Sequence, residues 1–385
     1  MRFLSLVLSV LLVVSLSSCD SNSTDEPIET YIGLAAPLTG ALARVGQNMR
    51  IAAEMSIALA NESRSEDTPP YRLIIEDTGS TTEGAEEAFE NLIADGVRFV
   101  IGPFTSSNTA HVTSLIDESG IVTIAPASAA AGLSAESQWL FRSSLTVDIL
   151  IPEGVRATHE FIKYTNVATV TNQADRFSKS ARDKFVEELG KLSGVTLNLK
   201  ETFSRFDDEI VPEMDSQIRA LANTNEKIDA LVFFGQAPDR IHFILRAHEL
   251  GLRGIPIIIP LLSTSDLRLA RETNPIATEG IFAIQVWISG STHAASEEFV
   301  AAFEKRYGDT PNDQHARTYA AVGLLLEAIE DAGANPSSEN VREELADMRN
   351  VDTIYGSFSF DKNGDADFTP LVGVARGRNL APLGK

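Results

Sequence analysis

Short apolar runs rich in β-branched and aromatic residues alternate along this chain with longer stretches whose apolar positions recur at helical spacing. Residues 31–34, 71–77, 97–101 and 121–125 are the expected strands of a first half. Between them, 46–60 and 82–95 carry helical periodicity. The second of these ends at Asp95-Gly96, where glycine accepts a left-handed cap. A second series repeats the rhythm, with strands expected at 167–170, 228–234, 255–259 and 281–287 and helices over 178–189, 238–250 and 296–307. Pro238 suits a first helical turn and Gly251 suits the end of the same helix. Strands alternating with crossover helices define an α/β chain built on parallel sheets.

In open α/β sheets, ligands bind beyond the carboxyl ends of the strands, so the turns after the strands are where function is expected. Three such turns stand out, at 35–40, 102–108 and 126–129. In the second, Thr105, Ser106 and Ser107 lead into a helical pattern over 109–117, so hydroxyls and free backbone N–H groups converge at a helix N-terminus. That arrangement suits a carboxylate; a plain N-cap by Thr105 or Ser106 accounts for the same residues. Phe177, Phe233, Phe234 and Trp287 lie near strand ends, where they can stack on a ligand or simply fill core.

The N-terminus changes the picture. Arg2 precedes an uncharged, largely apolar run from 3 to 16, which has the length of an export signal's apolar segment and is short for a membrane span. The run ends in Leu16-Ser17-Ser18-Cys19, which resembles a bacterial lipobox, so residues 1–18 are expected to be removed and Cys19 lipidated. Cys19 is the chain's single cysteine, which excludes an internal disulfide and a cysteine-based metal site. Residues 19–28 read as a polar tether.

Over 385 residues the formal charge is −22, which argues against nucleic acid as a partner. Glu83, Glu86, Glu87 and Glu90 show the acid spread over a helix face, the pattern of a solvated surface. With 43% hydrophobic residues the chain can bury ample core, and its length exceeds what one core supports, so two domains are expected.

Motifs for catalysis are few. Residues 361–365 begin like a calcium loop, but the twelfth position is Val372 rather than glutamate, so a turn between strands is expected. None of the six histidines falls in a metalloprotease pattern, and there is no Gly-x-Ser-x-Gly, Walker or Gly-x-Gly-x-x-Gly sequence. No cofactor, no metal and no enzymatic activity are expected.

The Leu38-Thr39-Gly40 turn, Asp77, residues 96–102 with the hydroxyls after them, 124–127, Leu140-Phe141-Arg142 and 355–365 together resemble, in order and spacing, the periplasmic Leu/Ile/Val-binding proteins of ABC importers. The resemblance spans nearly all of 29–377 and implies the type I periplasmic-binding fold: two Rossmann-like lobes with parallel-sheet cores joined by a three-crossing hinge. It places lobe 1 at 29–147 plus 279–350 and lobe 2 at 148–278 plus 351–385, with a ligand enclosed between them. It implies an extracytoplasmic lipoprotein, held on the periplasmic or cell-surface face through Cys19, that hands an amino acid, amide or organic acid to a membrane permease. A sensor of the same fold and an exported enzyme on a small molecule are the alternatives.

Carried over by position, the resemblance puts Thr105 and Ser106 on a ligand carboxylate and Ala127 on a backbone-carbonyl contact. Ala129 stands where the family has a threonine, with Ser128 beside it. The family's ammonium-binding acid falls near Leu261, within the acid-free stretch 259–263, and its tyrosines fall on Val45, Phe177, Ala237 and Trp287. Arg44, Gln236, Ser263 and Asp266 are the nearby polar residues that can serve instead. A buried ammonium needs a countercharge, so an ordinary amino acid fits only if Asp266 reaches inward; otherwise an amide, a urea-like compound, an organic acid or an aromatic acid is the expected ligand.

Overall fold

The computed structural model describes residues 29–65, 68–204 and 212–383. The proposed signal segment, Cys19 and the tether lie outside the described residues. The first sheet holds β1 (Thr30–Ala36), β2 (Tyr71–Asp77), β3 (Phe99–Ile101), β4 (Val122–Ala125) and β5 (Leu140–Arg142). Helices α1 (Ala43–Ser63), α2 (Thr82–Ala94) and α3 (Ser106–Ser119) connect the first four strands. All neighbours pair in parallel, in the order β2-β1-β3-β4-β5. Such strands are covered on both faces, which is why β3 and β4 are uninterrupted apolar or β-branched runs, buried throughout.

After α4 (Val147–Ile162), the second sheet is laid down as β6 (Asn166–Asn172), β7 (Thr196–Phe203), β8 (Ala230–Phe234), β9 (Ile257–Pro260) and β10 (Ile281–Gln285). Its crossovers are α5 (Arg176–Leu189), α6 (Pro212–Ala222), α7 (Ala237–Glu249) and α8 (Thr264–Thr273). The chain then returns to the first lobe with α9 (Ala294–Tyr307), α10 (Asp313–Asp331) and α11 (Ser338–Asp347), α10 packing along α1. A small antiparallel sheet of β11 (Val351–Thr353), β12 (Gly356–Phe360) and β13 (Ala366–Asp367) follows, and β14 (Leu371–Arg376) and β15 (Asn379–Pro382) close the second sheet in the order β15-β14-β10-β9-β8-β6-β7.

Two of the expected lobe boundaries are corrected. Residues 281–285 were expected in lobe 1, but β10 pairs in parallel with β9 and antiparallel with β14, so it belongs to the second sheet. Residues 351–367 were expected in lobe 2, but β11–β13 stand apart from that sheet: α11 packs on β12, and Arg142 of β5 bridges to Asp365. The fully buried Arg142 guanidinium donates to both carboxylate oxygens of Asp365 at 2.6 and 2.8 Å, which fixes this hairpin to the first lobe. The chain therefore passes between the lobes at 143–146, 286–293 and 368–370.

Strand order locates the crevice. In the first sheet the order reverses between β1 and β3, and in the second between β6 and β8. The segments after these four strands border the topological switch points, where open α/β sheets bind ligands.

Candidate functional site

The segment after β3 turns sharply at Gly102, whose φ is +124° and where a Cβ would lie 2.3 Å from the Ala35 carbonyl oxygen. Only glycine allows this approach, and it sets the start of α3 against β1. Thr105 caps α3 by accepting the Asn108 N–H at 3.1 Å, and Ser106 Oγ accepts the Ala130 N–H at 3.1 Å, tying the segments after β3 and β4 together. Each hydroxyl accepts one bond and keeps its own proton to donate. The N-cap reading of Thr105 thus holds, and both residues also face a cavity.

That cavity lies between the lobes. Phe104, Thr105, Ser106 and Ala127 line it from the first sheet, and Phe177, Gln236, Arg240 and Leu261 from the second. Asp313, Gln314 and Arg317, from the first two turns of α10, complete the wall. Its volume is about 20 Å³, room for about one or two waters, so the lobes are shut on one another here. Shutting is carried by contacts across the cleft: Arg44 to Asp266 at 2.6 Å, the Ala131 N–H to Ser180 Oγ at 3.1 Å and the Arg176 N–H to Ser107 Oγ at 3.4 Å.

Charge is concentrated here. Arg240, Asp313 and Arg317 are buried, as is Asp266 beside them. Arg317 Nη2 lies 3.1 Å from Asp313 Oδ2, yet the two are misaligned for a hydrogen bond, and Asp313 Oδ1, Arg317 Nε and Arg240 Nε have no hydrogen-bond partner. Asp266 Oδ2 is 3.8 Å from Arg240 Nη1, too far for a hydrogen bond. Burial pushes the Asp266 carboxyl up to about 6 against the pull of Arg240 and Arg44, and burial also lowers the affinity of Arg240 for its proton. Charged groups left this dry and this incompletely bonded are costly unless a ligand completes them.

Of the residues singled out in the sequence, Thr105, Ser106, Ala127, Phe177 and Gln236 meet in the cavity wall. Ser128 and Ala129 lie buried behind it, the Ser128 hydroxyl bonded to that of Thr109. Arg44 and Asp266 are spent on each other across the cleft rather than lining the cavity. Trp287 is displaced altogether. It follows β10 into a lobe crossing, packs edge-on against Phe299, donates Nε1–H to Ser296 Oγ at 2.8 Å and borders a separate cavity with His293 and Tyr355. Arg240, Asp313 and Arg317 were not anticipated. The only signals were Arg240's place one turn into the helix after β8 and the four-residue spacing of Asp313 and Arg317, which ordinarily reads as a surface ion pair.

Among the described residues no cluster of three or more histidine, cysteine or acidic side chains is placed to hold a metal. Residues 361–365 form a turn in which Asp361 Oδ1 accepts the Asn363 and Asp365 N–H groups at 2.8 and 2.9 Å.

A model of a family described as periplasmic binding protein matches residues 29–372. The Leu/Ile/Val-binding protein BraC3 of Rhizobium johnstonii is 26% identical over 340 residues, covering 87% of this chain and 88% of that one. Two solved structures share the fold. The branched-chain amino acid transporter substrate-binding protein LivJ of Streptococcus pneumoniae, in complex with isoleucine, has a TM-score of 0.82 and 20% identity, over 92% of this chain and 99% of that one. A solute-binding protein of an ABC transporter from Rhodopseudomonas palustris, in complex with 3,4-dihydroxybenzoic acid, has a TM-score of 0.79 and 19% identity, over 91% and 95%. With two parallel-sheet lobes closed on a cavity at both switch points and a family match over nearly all of the described chain, the protein belongs to the periplasmic binding protein family, whose members bind solutes rather than transform them.

Proposed function

We propose that this protein is the extracytoplasmic solute receptor of an ABC importer, that it closes its lobes on one small carboxylate-bearing solute of the amino acid, amide or organic acid class, and that it yields the solute unchanged to a membrane permease. The observation that carries this reading is the shut cavity at the two switch points, walled by α3 hydroxyls and the incompletely bonded Arg317 guanidinium of α10 from the first lobe and by the incompletely bonded Arg240 guanidinium from the second. A carboxylate supplies the acceptors that these donors lack. The ligands named with the two similar structures, isoleucine and a dihydroxybenzoic acid, each carry one. Attachment through a lipidated Cys19, with residues 1–18 removed, would keep the receptor beside its permease; stable anchoring takes more than one acyl chain.

The test is thermal unfolding of the purified chain against a panel of amino acids, their amides, short organic acids and aromatic acids. A true ligand at about a thousand times its Kd adds about 4 kcal/mol of stability and raises Tm accordingly. Recovery of the same compound intact after denaturation supports capture, whereas turnover of the compound contradicts it. Cys19→Ser is expected to move the chain from the membrane fraction to the soluble one.

A further inference from the structure

A second cavity lies at the hinge rather than between the lobes. Two of the three lobe crossings border it, 286–293 through Val286, Trp287, Ser291 and His293, and 368–370 through Thr369. The hairpin of the first lobe adds Ile354, Tyr355 and Ser357, and β14 of the second lobe adds Leu371. Its volume is about 410 Å³, whereas an apolar cavity of about 150 Å³ already accommodates benzene.

The walls are held from outside the cavity, so the space is preformed. The Trp287 indole is fixed by its bond to Ser296 Oγ at 2.8 Å and by its edge-on contact with Phe299. The Tyr355 ring stacks on Phe368, with centroids 4.3 Å apart and an interplanar angle of 4°. The His293 ring lies over Gly356, where φ is +87° and a Cβ would come within 2.9 Å of the imidazole, so glycine is what lets the ring sit there.

The lining selects a chemistry. Val286, Trp287, Ile354 and Tyr355 are buried and form an apolar floor, while Ser291, His293, Ser357 and Thr369 are more exposed and form a polar rim. Among the described residues that line it there is no lysine, arginine, aspartate or glutamate, so an ionic occupant would shed water without gaining a countercharge. The two aromatic rings favour an aromatic occupant. The Tyr355 hydroxyl is buried without a hydrogen-bond partner, and an oxygen on the occupant would complete it. Arg317 and Asp313 of the interlobe wall are near enough for their charges to act on that hydroxyl, yet neither bonds to it.

From these features we infer that the hinge cavity is a second binding site, separate from the solute's, for a neutral single-ring aromatic compound with an oxygen acceptor. Such an occupant touches two crossings and both lobes, so it favours the shut arrangement that shapes the cavity. It is thereby an effector of the receptor: by linkage it tightens solute binding, and solute tightens its own.

The experiment is an NMR titration of the purified full chain with acetophenone, ethylbenzene, benzoate and methyl cyclohexyl ketone, followed at the indole N–H signals. The chain has two tryptophans, and Trp139→Phe tells their signals apart. Acetophenone is expected to move the Trp287 signal saturably, with a Kd of about 1 mM or below, and the other three to bind at least about fivefold more weakly. Thr369→Phe, at an exposed position, fills the mouth and is expected to abolish the shift. Tyr355→Phe is expected to bring acetophenone down to the level of ethylbenzene. Acetophenone should also slow amide exchange at Ala131 and Arg176, which bond across the cleft. A Trp287 signal that stays still, moves without saturating or moves equally in Thr369→Phe overturns the site. Benzoate or methyl cyclohexyl ketone binding as tightly as acetophenone, or a preference over ethylbenzene that survives Tyr355→Phe, overturns the ligand class. Unchanged exchange at 131 and 176 overturns the effector role. Each of these results leaves the solute-receptor reading standing, because that reading is decided by the melting panel.

Discussion

Arg44 of α1 and Asp266 of α8 meet 2.6 Å apart across the two lobes, the carboxylate fully buried and the guanidinium side chain 39% exposed. Asp266 lies in the first turn of α8, where the helix N-terminus favours a negative charge, and Ser263 caps that helix through the Ser265 N–H at 3.0 Å. The pair forms only when the lobes are together, so it acts as a latch on the closed state rather than as part of the ligand's wall.

Removing the latch is expected to speed ligand release. In Arg44→Met the buried Asp266 keeps only the distant Arg240; because Arg44 is partly solvated, the effect is expected to be about 1 kcal/mol, or about fivefold in Kd. Stopped-flow dissociation should show this in the off-rate. An unchanged off-rate removes the latch role.

His315 makes stability depend on pH. Its Nδ1 accepts the Asn312 N–H at 3.1 Å, completing the capping box of α10, and burial pushes the imidazole from 6.5 down to about 4. The unfolded chain therefore takes up the proton first. Stability from the neutral ring is fully present above pH 6.5 and is lost as pH falls toward 4, by about 3 kcal/mol in total. Asp266 works the other way, since its raised value means the folded chain holds that proton more tightly, between 3.8 and about 6. The two nearly offset in the wild type, so the contrast with His315→Gln is the informative quantity. Glutamine can keep the capping box without titrating. Wild-type stability minus that of the variant, from chemical denaturation, should be flat above pH 7 and fall below it; a flat difference down to pH 4 contradicts the assignment.

Gly46 sets how closely α1 approaches the turn after β1, because a Cβ there would lie 2.1 Å from the Pro37 carbonyl oxygen. Gly46→Ala must shift backbone, at a cost of about 1–3 kcal/mol, and it moves Arg44 with it. Lower stability together with weaker ligand binding is the expected result. Wild-type values for both would show that the contact yields freely.

Trp287 separates hinge packing from ligand contact. Trp287→Phe leaves the buried Ser296 hydroxyl without its indole donor at 2.8 Å and is expected to lower stability by about 1–2 kcal/mol. Its effect on ligand affinity should be below about twofold, because the residue does not line the interlobe cavity. A tenfold loss of affinity would return Trp287 to the binding site.

The first half of the site was legible because it follows from strand ends. β3 and β4 are buried apolar runs, and the residues just past them, Thr105, Ser106 and Ala127, face the cavity for that reason alone. Gln236 and Phe177 follow from the same rule at β8 and β6. Asp313 and Arg317 obey no such rule. They sit on a helix that enters the cleft from far along the chain, and its buried charges have the spacing of an ordinary surface pair. Trp287 misled for the opposite reason: it ends a strand, but that strand runs into a lobe crossing rather than to the switch point. The boundary at β10 was hidden because an apolar strand reads the same in either sheet; only its pairing with β9 and β14 assigns it.

The central claim, capture of a solute between closing lobes, is tested most directly by amide hydrogen exchange with and without the ligand found in the melting panel. The Ala131 N–H bonds to Ser180 and the Arg176 N–H bonds to Ser107, each across the cleft, so their protection reports closure itself. Ligand is expected to slow exchange at both positions, together with the amides at the start of α3. A bound ligand that leaves 131 and 176 unprotected, while protecting a segment elsewhere, would contradict the account.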